Sequence, residues 1–99
     1  MKVRAKLKKG VTELKLLAEH LMETGQRKNS KGKIIPGHYI TELTATHKGK
    51  VILTAYLGPA VSKDPYLKFN FKGAEPNDTV TLKWVDNQNK SVSKDVVIK

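Results

Sequence analysis

The sequence predicts an all-β domain built as a sandwich or small barrel. Three observations lead there. Apolar and polar residues alternate with period two along several short runs. Clusters of Gly, Pro, Asn and Asp separate those runs at strand-length intervals. The longest regular pattern, Ile34 to Leu57, is a pair of β-branched and apolar runs around Lys48-Gly49. Two such runs about an Xaa-Gly pair read as a hairpin, because Gly supplies the positive φ that a tight turn needs.

The first element is Met1–Lys8. Val3, Ala5 and Leu7 fall on one face and Lys2, Arg4, Lys6 and Lys8 on the other, a half-buried strand with a basic outer stripe. The same charges discourage edge-to-edge pairing. Lys9-Gly10 turns the chain. Val11–Met22 is ambiguous: Val11, Leu14, Leu17, Ala18 and Leu21 fit a helical stripe with Thr12 as N-cap and Gly25 as stop, whereas Leu14, Leu16 and Ala18 fit a strand. Periodicity alone favours helix. Glu23–Lys33 is a long polar loop carrying Arg27, Lys28, Lys31 and Lys33.

In the first arm of the hairpin, Tyr39, Thr41, Leu43 and Ala45 share a face, and His38, Ile40, Glu42, Thr44 and Thr46 share the other. That alternation predicts a sheet buried on one side. Gly58–Pro65 is a loop stiffened by its prolines. Leu67, Phe69 and Phe71 then align, as do Val80, Leu82 and Trp84, and Val92, Val96 and Ile98 in the last run. If Val11–His20 is a strand and every strand reverses, seven strands result. Leu21–Lys33, Gly58–Pro65 and Asn87–Lys90 then share one end, where elaborate loops favour binding.

The chain of 99 residues reads as a single domain, 1–99, with a net charge of +10 and no cysteine. The charge points to an acidic partner, with nucleic acid the first candidate and a lysine-rich solvated surface the bland alternative. Without cysteine there is no disulfide, thiol nucleophile or thiolate metal site. No stretch approaches the roughly 20 apolar residues of a membrane span. Met1–Lys9 is basic with no apolar run after it, so the residues alone suggest no secretory signal and a cytoplasmic location.

Chemistry is hard to find. His20, His38 and His47 lack metal-site spacing, and the last two have opposite parity, which predicts opposite faces; solvent-facing or capping histidines are the expectation. The acidic residues are scattered singly, and Ser62 beside Lys63 and Asp64 reads as a turn. Phe69, Phe71, Trp84 and Tyr39 align with apolar neighbours, leaving Tyr56 and Tyr66 as the exposed rings, a poor stacking platform for nucleic acid. What remains is a binding module, in which Met22 and Val61 could form an apolar patch ringed by Arg27 and Lys63, or could tuck beneath their own loops.

Those loops carry a family resemblance. The motifs are Lys2-Val3-Arg4-Ala5-Lys6-Leu7-Lys8, His20-x-Met22-Glu23-Thr24-Gly25 with Arg27-Lys28, and Ile35-Pro36-x-His38-Tyr39-Ile40. They continue with Thr44-Ala45-Thr46-His47, Gly58-Pro59-x-Val61-Ser62-Lys63-x-Pro65-Tyr66-Leu67 and Trp84-Val85-Asp86-Asn87. Together they resemble SoxZ, a subunit family of the bacterial thiosulfate-oxidising Sox carrier complex, nearly end to end. The chain departs from that pattern at Leu21, Ala60 and Asp64, where proline, glycine and asparagine are frequent.

The resemblance implies an immunoglobulin-like β-sandwich of about seven antiparallel strands, which makes Val11–His20 a strand. It implies a heterodimer with SoxY, whose Gly-Gly-Cys-Gly-Gly tail carries sulfur adducts on its cysteine, and transient contact with other Sox proteins. It implies a non-catalytic role without a cofactor or metal, and no nucleic-acid or membrane partner. The periplasm, reached by export together with SoxY, replaces the cytoplasm. Met22, Glu23, Thr24, Arg27, Pro59, Val61, Lys63 and Pro65 are the expected partner-binding residues. The alternative is a small basic nucleic-acid-binding β-barrel.

Overall fold

In the computed structural model, which describes residues 1–20, 22–58, 61 and 63–99, seven strands form two sheets. They are β1 (Lys2–Lys8), β2 (Val11–Leu17), β3 (Ile40–His47), β4 (Lys50–Tyr56), β5 (Tyr66–Lys72), β6 (Thr79–Asp86) and β7 (Ser91–Val97). One sheet has the order β1-β2-β5 and the other β4-β3-β6-β7. Every pairing is antiparallel. This is an immunoglobulin-like sandwich in which the fourth strand pairs with β3, so three strands face four. The two separate ladders rule out a closed barrel.

The helical stripe at Val11–Met22 is overturned, and the strand reading holds. β2 sits between β1 and β5, so both of its edges are paired. Thr12, Leu14 and Leu16 point inward and are 0–1% exposed, while Val11, Glu13, Lys15 and Leu17 form the outer row. Tertiary pairing on both sides outweighs an apolar spacing that could equally serve a helix. Leu14 and Leu16 meet Leu43, Ala45, Val80, Leu82 and Trp84 from the facing sheet.

The Lys48-Gly49 hairpin forms as expected. Both turn residues take positive φ, 51° and 75°, as do Lys9 and Gly10 at 51° and 79°. Positive φ at both central residues twists a two-residue turn to match right-handed strands. The face assignment in β3 needs correction. The ladder to β6 shifts between Ile40 and Glu42, so Thr41 is an extra residue, a bulge. Ile40 is thereby turned into the core with Leu43 and Ala45, each fully buried. His38 follows Ile40 inward. His38 and His47 therefore lie on the same side of the sheet, at opposite ends.

Strands of seven residues span about 23 Å, less than half of the 54 Å long axis of the molecule. The remainder belongs to loops at the two ends, grouped as strand parity predicts. At one end His47 Nε2 donates to Asp78 Oδ2 at 2.8 Å, and Ile98 pairs with Asp78 and Asn77 through the backbone. The Glu75 amide, then the His47 ring, hold the Asp78 carboxyl below its ordinary range. At the other end lie the loops 18–39, 57–65 and 87–90, joined by Asp64 N–H to His20 O (2.9 Å) and Asn87 N–H to Tyr39 O (3.0 Å).

One buried polar atom stands apart. Thr12 Oγ1 is buried without a hydrogen-bond partner among the described residues. An unsatisfied buried hydroxyl costs on the order of 1–3 kcal/mol. Thr12→Val keeps the shape and removes the cost. It should stabilise the domain by about 1 kcal/mol, read as a melting temperature raised by roughly 4–8 °C. A melting temperature at or below that of the parent would mean that the hydroxyl is satisfied in solution.

Candidate functional site

The loop-rich end is organised by one carboxylate. Asp86 closes β6 with 2% exposure. Its Oδ1 accepts the amides of Gln88 and Lys90, both at 2.9 Å, which shapes the β6–β7 turn. Its Oδ2 accepts His38 Nε2–H at 2.6 Å and faces His20 Nε2 at 3.4 Å. Both ends of the loop 18–39 and the loop 87–90 thus converge on one side chain. Burial raises the Asp86 pKa, but the Lys90 amide, His38, the Gln88 amide and His20 outweigh it and bring the value down to about 2.

His20 is buried, so of the two expectations, solvent-facing or capping, the first is overturned. Its ring packs edge-on against Trp84 at 5.1 Å and against His38 at 4.6 Å. The Met22 amide donates to its Nδ1 at 3.0 Å. An amide N–H needs an acceptor, so Nδ1 is unprotonated and the ring proton sits on Nε2, aimed at Asp86. His20, His38 and Asp86 bring ligand-type atoms within 4.8 Å of one another. To bind a cation through Nε2, however, His20 would have to carry its proton on Nδ1, donor against donor with Met22 N–H. The cluster fits a hydrogen-bonded hub better than a metal centre.

Around the hub the chain is pinned tightly. Asp64 Oδ1 accepts the His20 amide at 2.9 Å, and Pro65 O accepts Ala18 N–H at 2.9 Å. Glu23 and His38 exchange backbone hydrogen bonds of 2.6 and 2.9 Å. Asn87 binds Tyr39 N–H through Oδ1 and Gly37 O through Nδ2. Gly25 has φ +85°, and an added Cβ would meet Gly37 Cα at 3.3 Å. A side chain there would both strain the backbone and push the loop apart.

Of the expected partner-binding residues, Met22, Glu23, Thr24, Arg27, Val61, Lys63 and Pro65 lie in the loops at this end. Met22 is 5% exposed, with φ 49°, and its sulfur accepts Ile40 N–H at 3.3 Å. It tucks inward and offers no surface patch. Val61 is half-buried against the core and Pro65 is buried. Arg27 is exposed, but both arms of its guanidinium engage Glu23 at 3.0 and 2.9 Å. That bidentate hydrogen bonding holds the Glu23 carboxyl low and raises Arg27. Thr24 Oγ1 accepts the Gln26 amide at 3.1 Å. Lys63 is exposed and has no ion pair among the described residues. Pro59 lies outside the described residues.

Sequence reasoning missed Asp86 as the hub. Its signal was present in Trp84-Val85-Asp86-Asn87, a turn-forming acid two residues after an inward-facing tryptophan. The family model described as sulphur oxidation protein SoxZ matches residues 1–97. The chain belongs to the SoxZ family. It is therefore a component of the Sox system of sulfur oxidation. No curated protein matches the chain. The SoxZ match spans both sheets and the two loops that meet at Asp86.

The depressed carboxyl has a pH consequence. The Asp86 pKa is about 2 in the fold against an ordinary 3.8. Its contribution to stability is complete above the ordinary value and is lost as pH falls through the folded value. Thermal unfolding should show stability dropping between roughly pH 4 and pH 2. Asp86→Asn should flatten that drop and also destabilise the neutral-pH fold by on the order of 2 kcal/mol, because an amide NH₂ then meets a ring N–H. An unchanged acid profile in the variant would show that the carboxyl is not held by these donors.

Proposed function

We propose that this SoxZ-family chain is the non-catalytic subunit of a SoxY heterodimer, supporting the partner whose C-terminal cysteine arm carries sulfur intermediates during thiosulfate oxidation. The observation that carries the reading is the SoxZ match over residues 1–97, on a chain without cysteine. Such a chain cannot be the covalent thiol carrier. The Asp86 hub supports a scaffold role, since its hydrogen-bonding atoms are spent on holding loops together. The reading brings with it a periplasmic location, by export with SoxY, and no cofactor.

The outer face of the four-stranded sheet suits a permanent partner. It presents Thr44, Thr46, Thr54 and Thr81, with Tyr56 at 80%, Val51 at 54% and Val97 at 48% exposure. Its charges, Glu42, Lys83 and Asp95, nearly cancel. Stable interfaces are depleted in charge at their centre, favour aromatic anchors and bury on the order of 800 Å² per partner. At the loop end, Lys63 is exposed with no ion pair among the described residues and would attract an anionic adduct, with Glu23, Thr24, Arg27, Val61 and Pro65 in the same group of loops.

Co-expression with SoxY and intact-mass analysis test the first role. A one-to-one complex whose partner bears sulfur-sized additions on a cysteine supports it; a chain that purifies alone overturns it. Tyr56→Glu should weaken the heterodimer at least about tenfold, as expected for loss of an aromatic anchor. Joint charge reversal at Arg27 and Lys63 should leave the heterodimer intact and lower turnover of the loaded arm. Unchanged loading and turnover would remove the loop end from the mechanism.

A further inference from the structure

The three-stranded sheet shows a second surface of opposite character. β1 contributes Lys2, Arg4, Lys6 and Lys8 to its outer face, and the register sets them beside Leu17, Lys15, Glu13 and Val11 of β2. β5 adds Tyr66, Lys68, Asn70 and Lys72 in the same rows. Every cation on this face is exposed. Glu13 is its only carboxylate, 3.5 Å from Lys15 and 3.4 Å from Lys68.

The central row is Arg4–Lys15–Lys68, three cations side by side on three neighbouring strands. Like charges directly opposite one another destabilise a sheet. Edge protection explains a lysine or two on β1. It does not explain Lys15, which lies on the central strand, or the continuation onto β5. The other sheet of the same molecule carries an almost neutral outer face, so net charge spread evenly over the surface does not explain the concentration either. At one end of the basic rows, Leu17 and Tyr66 sit opposite each other, with Tyr66 58% exposed. A groove of about 460 Å³ opens beside them, lined by Val3, Leu16 and Leu17 and rimmed by Lys2, Arg4 and Lys94.

The geometry points to this basic sheet face as the docking surface for an acidic protein that visits the carrier transiently, separate from the neutral face proposed for SoxY; the inference rests on the carrier reading. A flat field of hydrated lysine charges accelerates encounter and orients a partner of opposite sign without holding it for long. Arg4 is the single guanidinium among them, so few bidentate contacts are available to slow release. Leu17, Tyr66 and the adjoining groove supply a small apolar anchor that a carboxylate-ringed patch can cover. A nucleic acid fits less well: the cations lie on an open plane instead of a groove, and a single tyrosine at one end offers no run of stacking rings.

The test uses the wild-type heterodimer and an Arg4→Glu/Lys15→Glu/Lys68→Glu heterodimer. Each purified Sox enzyme of the same host is assayed with the loaded carrier as substrate, from low to high NaCl. For at least one enzyme, kcat/KM at low salt should fall about tenfold in the variant through KM, with kcat retained. The wild type should lose its advantage as salt rises, and the variant should be insensitive to salt. The variant keeps three like charges in the row and loses only the exposed Glu13 ion pairs, so its melting temperature should stay within roughly 5 °C of the wild type, which separates docking from folding. Equal kcat/KM for every enzyme, or a salt response unchanged by the substitutions, would overturn the inference while leaving the carrier reading intact. A variant that no longer pairs with SoxY would also overturn it, by assigning the face to the permanent interface. Failure of the wild type to pair with SoxY at all would sink the carrier reading itself. Charge-dependent retention of a 20-nucleotide single strand by the wild-type heterodimer, at a salt concentration where no Sox enzyme responds, would replace the acidic protein with nucleic acid.

Discussion

Asp86 is the interaction on which the loop-rich end depends. A buried carboxylate is costly unless hydrogen bonds replace its lost water. Here two backbone amides and two imidazoles do so, and each belongs to a segment that must be placed. The amides fix the β6–β7 turn. His38 fixes the approach to β3, and His20 fixes the exit from β2. His20 passes the constraint on, since its remaining ring nitrogen holds the Met22 amide. One charge thereby defines the geometry of a surface whose loops would otherwise be long enough to wander.

The two sheets divide the remaining work by polarity. Their inner faces are nearly all apolar and need no further partner. Their outer faces differ sharply, one rich in lysine and the other in threonine hydroxyls with a few exposed apolar side chains. A subunit that holds one protein permanently and meets others briefly needs two surfaces with different physics. Charge-poor area gives slow dissociation, and charge-rich area gives fast encounter. The sandwich supplies both because strand alternation lets each sheet dress its outer face independently of the core.

Much of the fold was legible in the residues. Alternation in Met1–Lys8, the two Lys-Gly turns and the aligned Val80, Leu82 and Trp84 all lead to the observed strands. Parity also groups the loops correctly. Two features were not legible for physical reasons. The apolar spacing of Val11–Leu21 serves a helix and a doubly flanked strand equally well, and only pairing with β1 and β5 decides between them. The bulge at Thr41 adds one residue without any glycine or proline to announce it, so parity misplaces Ile40 and His38. At the loop end the expected residues that the structure describes lie in neighbouring loops, but sequence could not reveal that Arg27 is occupied by Glu23 or decide that Met22 faces inward. Those outcomes depend on backbone angles and on contacts between loops far apart in the chain.

The bulge in β3 can be viewed as a shift of reading frame. Residues after Thr41 follow one parity and residues before it follow the other, so the strand is written in two frames joined at a single position. His38 reaches Asp86 only because of that junction. The Thr41 hydroxyl, 3.1 Å from Val85 O, and the Thr41 carbonyl, which receives Leu57 N–H at 2.9 Å, anchor the extra residue on both sides. The connection between core and loops is thus a phase relation as well as a set of contacts. Side chains on either side of the junction can change freely within their own frame, whereas gaining or losing one residue there would send the histidine to solvent and leave the buried carboxylate short of a donor.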